Sequence, residues 1–143
     1  MQSNLTAHAS TLIDAPLKDV WTALVNPDAI RQYMSGANVT SDWKEGSPIT
    51  WKGEWQGKPY EDKGVILRQD PGRTLSYSHW SALSGVADTP ENRHTVTIEL
   101  SGEGGKTHVS LDQDNNKTPQ EREESQKNWV LMLEGMKKVV EAG

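Results

Sequence analysis

Two histidines and a tyrosine are the residues of this sequence that could do polar chemistry within an apolar layer. His79 follows Tyr77 in an alternating segment, and His94 opens another such segment beyond residues 81–92. Side chains alternate across a strand, so His79 and Tyr77 share a face. One hairpin register places same-face residues opposite each other: Leu75 with Ile98, Tyr77 with Val96, and His79 with His94. This register predicts a polar anchor or a general acid–base group in a ligand cavity; the alternative is two strand-end histidines bonded to backbone or water.

Tryptophan is the second notable group, because the chain has six Trp and three Tyr but no Phe. Trp51 and Trp55 share a face of an alternating segment, and Trp129 belongs to a helical pattern near the C-terminus. Such rings could line a pocket that stacks a flat ligand, or they could fill the core. The residues that we expect around a cavity are Tyr33, Met34, Trp51, Trp55, Tyr77, His79, His94, Trp129, Leu133 and Met136.

Other kinds of site find little support in the sequence. The chain has no cysteine, and two histidines without a suitably spaced third ligand do not predict a metal site. We therefore expect no metal and no cofactor. Residues 102–107 look superficially like a phosphate loop, but the segment that follows is a strand pattern and not a helix. The adjacent carboxylates Glu61 and Asp62, like Glu123 and Glu124, are expected in solvated turns or helix starts.

Charge and composition narrow the classes of partner. The chain has 143 residues, a length typical of one domain, and its net charge is −5. A nucleic acid or an anionic membrane surface requires a basic face, so neither is expected as a partner. No apolar stretch approaches the length of a membrane span, which excludes membrane insertion and favours a cytoplasmic protein.

The elements that must position these side chains follow from the periodicity. Residues 118–140 form one amphipathic helical pattern, which Thr118 and Glu121 begin as a capping box. An N-terminal strand at residues 5–13 and two short helical patterns come first. Strand patterns then lie at residues 37–43, 49–55, 60–69, 74–79, 93–100 and 107–112. The short links between them predict an antiparallel sheet, and hence an α+β fold in which the long helix covers the apolar face.

Three stretches of sequence carry a family resemblance. The first is I-D-A-P at 13–16, with V-W-T-A-L at 20–24 and N-P-D at 26–28. The second is G-V-I at 64–66 with P-G-R-T-L-S-Y at 71–77, and the third is T-H-V-S-L-D-Q-D-N-N at 107–116 with N-W at 128–129 and Leu133. Together they resemble the helix-grip superfamily of START domains, the birch-pollen allergen and polyketide cyclases. The third is most similar to the branch named after the activator of the heat-shock protein 90 ATPase, in its stand-alone bacterial form.

The resemblance implies one START-like domain over residues 1–143, with a curved antiparallel sheet wrapped on the C-terminal helix. Members of the superfamily bind lipids or hormones, cyclise polyketides or act as co-chaperone modules, so the fold does not select a function. Our first hypothesis is a binding module for an apolar, aromatic or lipid-like small molecule, which would enter near residues 81–92 and Tyr33–Met34. The second, from the resemblance alone, is a stress-related interaction protein with a chaperone partner. The third is a cyclase- or hydratase-like enzyme that uses His79, His94 or Tyr77.

Overall fold

The predicted order of strand, two helices, further strands and a long helix is confirmed. The computed structural model describes residues 5–34, 36–82 and 85–142, and the side chain of Trp55 lies outside the described part. The elements are β1 (Leu5–Ile13), α1 (Leu17–Val25), α2 (Pro27–Tyr33), β2 (Asn38–Ser41), β3 (Pro48–Trp55), β4 (Lys58–Asp70), β5 (Thr74–His79), β6 (His94–Glu103), β7 (Lys106–Asn116) and α3 (Pro119–Ala142). None of the helices in these ranges is long and apolar enough to cross a membrane.

The seven strands form one antiparallel sheet in the order β1-β7-β6-β5-β4-β3-β2. Strand β4 is the shared element, because its first part pairs with β3 and its second part with β5. The β4–β5 register shifts between Ile66 and Arg68, and such an irregularity bends a sheet. Gly64 permits the close approach there, since a Cβ at this position would lie 1.8 Å from the Ser78 carbonyl oxygen. The sheet therefore curves around its apolar face.

Helix α3 lies in the concavity of the sheet, where it packs against β1 and α2. Its start is capped as predicted: the Glu121 N–H donates to the Thr118 hydroxyl at 3.0 Å, and the Glu121 carboxylate accepts from the Lys117 N–H at 3.0 Å. Leu133 and Met136 on its inner face are fully buried. Burial of apolar side chains on this face is what holds the helix in the sheet, at about 1.5–3 kcal/mol for each large side chain.

The two short helices close one end of the concavity. The Asn26 side chain caps α2 by accepting from the N–H groups of Asp28 and Ala29 at 2.8 and 3.3 Å. Gly36, with φ of 85°, follows the end of the helix and donates its N–H to the Arg31 carbonyl at 2.9 Å. A positive φ is accessible to glycine at little cost, so the chain can reverse here into β2. This reversal brings Met34 and Ala37 to the edge of the apolar layer.

The β5–β6 pairing has the register that the alternation predicts. Leu75 lies opposite Ile98, Tyr77 opposite Val96 and His79 opposite His94. Leu75, Tyr77, Val96 and Ile98 are all buried. The apolar alternation of each strand therefore determines which face of the sheet is buried and which residue lies opposite each side chain.

Four strands extend beyond their predicted bounds, namely β3, β4, β6 and β7. Strand β4 begins at Lys58 and not at residue 60, so Glu61 and Asp62 belong to a strand. The expectation that this carboxylate pair lies in a solvated turn is wrong, because only two residues, Gln56 and Gly57, connect β3 to β4. Strand β7 continues to Asn116, and its last two residues are fully buried.

Candidate functional site

A cavity of about 200 Å³ lies between α3, α2 and the β3–β4–β5 part of the sheet. It is lined by Met34, Ala37, Trp51, Tyr60, Asp62, Tyr77, His79, Asn128, Trp129 and Met132. Four of these residues carry aromatic rings on Trp or Tyr, and two are methionines. The walls are therefore mostly apolar, as in small-molecule sites, with a few polar groups at fixed positions. Ala37, Trp51, Tyr77 and Met132 are buried, whereas Asn128 is exposed at the mouth.

The polar centre of the cavity is a hydrogen-bonded pair, His79 and Asp62. The His79 Nε2 atom lies 3.0 Å from the Asp62 Oδ2 atom, and the two side chains are 23% and 15% exposed. The other Asp62 oxygen, Oδ1, accepts from the backbone N–H of Ala82 at 2.9 Å. Because an ionised carboxylate only accepts, the His79 proton at Nε2 points to Asp62, and neutral His79 presents Nδ1 as an acceptor. An imidazole that a carboxylate orients in this way can bind a ligand hydroxyl or accept a proton.

The alternation of the sequence predicts an inward position for Asp62, although its adjacency to Glu61 suggests a solvated turn. In the β3–β4 ladder Asp62 lies directly opposite Trp51, and Tyr60 lies opposite Gly53. Residues opposite each other in an antiparallel pair point to the same face. A two-residue connection after Trp55 fixes this register, so the alternation that places Trp51 inside also places Asp62 inside.

Aromatic rings surround the pair. The Trp51 ring centroid lies 5.0 Å from that of His79 with a T-shaped arrangement, and 5.2 Å from that of Tyr77 with the planes tilted by 49°. These are the separations at which aromatic pairs attract each other. On the helix side, the Trp129 indole N–H donates to the Gln113 side-chain oxygen, which fixes the ring at the cavity wall.

Both tyrosines of the cavity are held in the neutral form. Burial raises the pKa of Tyr77 well above its ordinary value. The pKa of Tyr60 is raised as well, first by burial and then by the Asp62 carboxylate. A neutral phenol keeps its proton and can donate a hydrogen bond. Tyr60 lies over Gly53, where a Cβ would come within 2.8 Å of the Tyr60 hydroxyl, so the absence of a side chain at Gly53 makes room for this ring.

Five of the ten residues predicted from the sequence line the cavity: Met34, Trp51, Tyr77, His79 and Trp129. Leu133 and Met136 do not, because they are fully buried in the core beneath it. The structure describes the strand position of Trp55 but not its side chain. Sequence reasoning missed Ala37, Tyr60, Asp62, Asn128 and Met132 as lining residues.

Tyr33 and His94 belong to other surroundings. Tyr33 borders a smaller void of about 20 Å³, which has room for about one water molecule and shares Met34, Trp51 and Tyr77 with the cavity. Its hydroxyl donates to the Ala23 carbonyl at 2.8 Å. His94 donates from Nδ1 to the Asp114 carbonyl at 2.8 Å. Its ring is thus tied to the end of β7, although it lies opposite His79 in the ladder. His94 therefore matches the alternative of a strand-end histidine bonded to backbone.

The site offers two potential metal ligands, one imidazole and one carboxylate. Within residues 5–34, 36–82 and 85–142, no group of three or more His, Cys, Asp or Glu side chains could hold a metal ion. The side chains of the cavity can form hydrogen bonds, accept a proton and make aromatic contacts.

An antiparallel sheet that grips a long C-terminal helix, with a small cavity beneath one end of that helix, defines a helix-grip domain. Residues 14–141 match the family described as "Activator of Hsp90 ATPase homolog 1-like protein". The chain belongs to this family, and the resemblance inferred from its motifs is confirmed. No curated protein matches the chain.

Solved structures share the fold over nearly the whole chain. The solution structure of the protein ChR145 from Cytophaga hutchinsonii is 53% identical, with a TM-score of 0.86, and the match covers 99% of this chain and 97% of that one. The crystal structure of the protein MLL2253 from Mesorhizobium loti is 21% identical, with a TM-score of 0.77 and coverages of 96% and 97%. The solution structure of the Aha1 dimer from Colwellia psychrerythraea is 16% identical, with a TM-score of 0.72 and coverages of 94% and 95%. At 21% and 16% identity, the last two structures show a shared fold alone.

Proposed function

We propose that this protein binds a small, planar, largely apolar molecule in the cavity between α3 and the β3–β4–β5 part of the sheet. The observation that carries the proposal is the combination of a partly open cavity with its lining. About 200 Å³ of space is bordered by aromatic rings and by one oriented polar pair, His79 and Asp62. Side chains that only fill a core would leave no space of this size.

The size of the cavity limits the ligand. Cavities of roughly 150 Å³ with apolar linings admit benzene, and drug-sized ligands occupy roughly 300–1,000 Å³. At about 200 Å³ the site suits one ring or two fused rings, with any longer substituent extending past Asn128 into solvent. The Tyr33–Met34 end of α2, predicted from the sequence as the place of entry, contributes only Met34 to the lining.

The tryptophans provide a direct test of binding. The protein labelled with ¹⁵N has six indole N–H signals, one for each Trp, and naphthalene is a planar probe of suitable size. We expect the signals of Trp51 and Trp129 to shift on titration, with a Kd on the order of 100 µM, which corresponds to roughly −5.5 kcal/mol. The signal of Trp80, whose N–H donates to the Val86 carbonyl at 3.1 Å, should stay in place.

Two outcomes would contradict the proposal. One is the absence of any shift up to the solubility of naphthalene. The other is a similar shift of all six signals, which would indicate general surface association and not occupation of this cavity.

A chaperone-associated role is the second candidate, and the family match together with one surface feature favours it. Leu131 and Val130 on the outer side of α3 are 71% and 42% exposed. Exposed apolar side chains next to each other are a common feature of docking surfaces, although they form only a small patch here. The test is the ATPase rate of heat-shock protein 90 from the same source. Stimulation by the parent protein that Leu131→Asp abolishes would support this role, and an unchanged rate with the parent would exclude it.

A further inference from the structure

Two hydrogen-bond donors of the cavity wall have no partner among the residues that the structure describes. The Trp51 indole N–H and the Tyr77 hydroxyl make no hydrogen bond with any residue that the structure describes, although the two residues are only 6% and 4% exposed. No fully enclosed polar side-chain atom of the described residues lacks a partner. Both donors must therefore border open space. Both residues line the cavity of about 200 Å³ and also the void of about 20 Å³ next to it, and only the cavity has room for a ligand.

Unpaired donors in an apolar site carry an energetic cost that a ligand can remove. Buried N–H and O–H groups in folded proteins nearly always find an acceptor, in the protein or in water. Here two donors lie on adjacent rings, whose centroids are 5.2 Å apart. Tyr77 keeps its proton because burial disfavours the phenolate. The complementary ligand group is an oxygen that accepts hydrogen bonds.

The carboxylate of the same cavity is not equally available. Asp62 already accepts from His79 through one oxygen and from the Ala82 N–H through the other. Asp62 keeps lone pairs that an ammonium group can use, but a cation bound there would leave the donors of Trp51 and Tyr77 unpaired. The arrangement favours a neutral acceptor over a cation.

We infer that the ligand is a neutral planar compound with a carbonyl oxygen, which accepts hydrogen bonds from the Tyr77 hydroxyl and the Trp51 indole N–H. This inference rests on the proposed function and specifies the chemistry of its ligand. The ring of the ligand lies among the aromatic walls, and the carbonyl points to the β3–β5 side of the cavity. A hydroxyl elsewhere on the ligand would find an acceptor in Nδ1 of His79.

Three probes with one carbon skeleton test the inference: indane, 1-indanone and 1-aminoindane, which is a cation at neutral pH. We expect 1-indanone to bind about fivefold or more tightly than indane, because its carbonyl pairs with donors that indane leaves unpaired. The Trp51 indole proton should move downfield with 1-indanone and not with indane. Tyr77→Phe should lower the affinity for 1-indanone more than the affinity for indane and so remove most of the preference for 1-indanone.

The outcomes separate this inference from the proposed function. Binding of none of the three probes would overturn both. Equal binding of indane and 1-indanone, or an unchanged preference in Tyr77→Phe, would overturn the inference alone and would mean that water satisfies the two donors. Tighter binding of 1-aminoindane than of 1-indanone would also overturn it and would identify Asp62 as the anchor. Unchanged indole signals of Trp21 and Trp80 in Tyr77→Phe establish that the variant is folded.

Discussion

His79 Nε2 lies 3.0 Å from Asp62 Oδ2 although the two residues belong to different strands, β5 and β4. Ile66 lies opposite Tyr77 and Lys63 bridges Trp80, so regular pairing of β4 with the end of β5 makes Asp62 and His79 diagonal neighbours on one face of the sheet. Asp62 in turn accepts from the Ala82 N–H, at the start of the connection to β6. One carboxylate therefore orients the imidazole and also fastens the chain beside the cavity.

Removal of this carboxylate should loosen the chain after β5. In Asp62→Ala, the Ala82 N–H loses its acceptor, and a lost buried hydrogen bond of this kind costs about 1–3 kcal/mol. We expect hydrogen exchange of the Ala82 amide to accelerate by roughly five- to a hundredfold, as measured by NMR. Exchange of the Val96 amide, in the centre of the sheet, is the internal control. An unchanged Ala82 rate would show that Asp62 does not hold this segment.

The same variant should change the tautomer of His79. With Asp62 present, the proton of the neutral ring resides at Nε2, because the carboxylate can only accept. In Asp62→Ala this preference disappears, and ¹⁵N chemical shifts of the imidazole at a pH where the ring is neutral should show a larger share of the Nδ1–H form. His94, whose Nδ1 donates to the Asp114 carbonyl, should keep its shifts. Identical His79 shifts in parent and variant would contradict the assigned pair.

Gly64 is required by the close approach of β4 and β5. A Cβ at this position would lie 1.8 Å from the Ser78 carbonyl oxygen, so Gly64→Ala must displace a strand. We expect urea denaturation to report a loss of about 2–4 kcal/mol in the free energy of unfolding. Gly102→Ala is the matched control, because its Cβ would meet only the Leu17 side chain at 3.4 Å, and it should change stability by less than about 1 kcal/mol. Equal effects of the two substitutions would contradict this account of the bend.

Replacement by alanine should lower the free energy of unfolding by different amounts at two neighbouring residues of α3, Leu133 and Met132. Leu133 is fully buried in the core, so Leu133→Ala should destabilise the protein by about 2–5 kcal/mol. Met132 borders the cavity, so its truncation enlarges an existing space and removes fewer contacts, and Met132→Ala should cost less than Leu133→Ala. Thermal and urea unfolding measure both. A larger loss for Met132→Ala than for Leu133→Ala would mean that the cavity wall is misplaced.

The ion pair of Arg93 and Asp88 should make a small and pH-dependent contribution. The hydrogen bond from Arg93, whose Nε lies 2.8 Å from Asp88 Oδ1, lowers the pKa of this carboxyl. A carboxyl with a lowered pKa in the folded state stabilises the protein above its ordinary pKa, and this contribution is lost as the pH falls through the lowered value. Because the pair is partly exposed, Asp88→Asn should cost no more than about 1 kcal/mol at pH 7. The difference from the parent should vanish in strong acid, and a constant difference down to pH 2 would contradict this cause.

Alternation and capping signals predicted the fold and part of the site. The β5–β6 register followed from the same-face pattern of Leu75, Tyr77 and His79, because only one face of the sheet is buried. The start of α3 followed from Thr118 and Glu121. Both features are local, or arise between strands that are neighbours in sequence.

Asp62 was missed although alternation signals its inward position, whereas the bend of the sheet leaves no such signal. Neither the register shift near Ile66 nor the close approach at Gly64 is visible in the periodicity. The cavity lies under Trp129 and Met132, while Leu133 and Met136 fill the core. Likewise, β7 continues through Asn115, which has a φ of 58°, to Asn116, and the nearby Asp114 carbonyl accepts from His94.

The most direct test of the central claim compares naphthalene binding in the parent and in a variant with a filled cavity. Ala37 is buried in the cavity wall, so Ala37→Leu places a larger side chain in the space that the ligand would occupy. Ala29→Leu adds the same side chain at a separate groove beside α1 and serves as the control. The account predicts a Kd on the order of 100 µM for the parent and for Ala29→Leu, and at least about tenfold weaker binding for Ala37→Leu. Equal affinities of all three proteins would contradict a ligand site between α3 and the sheet.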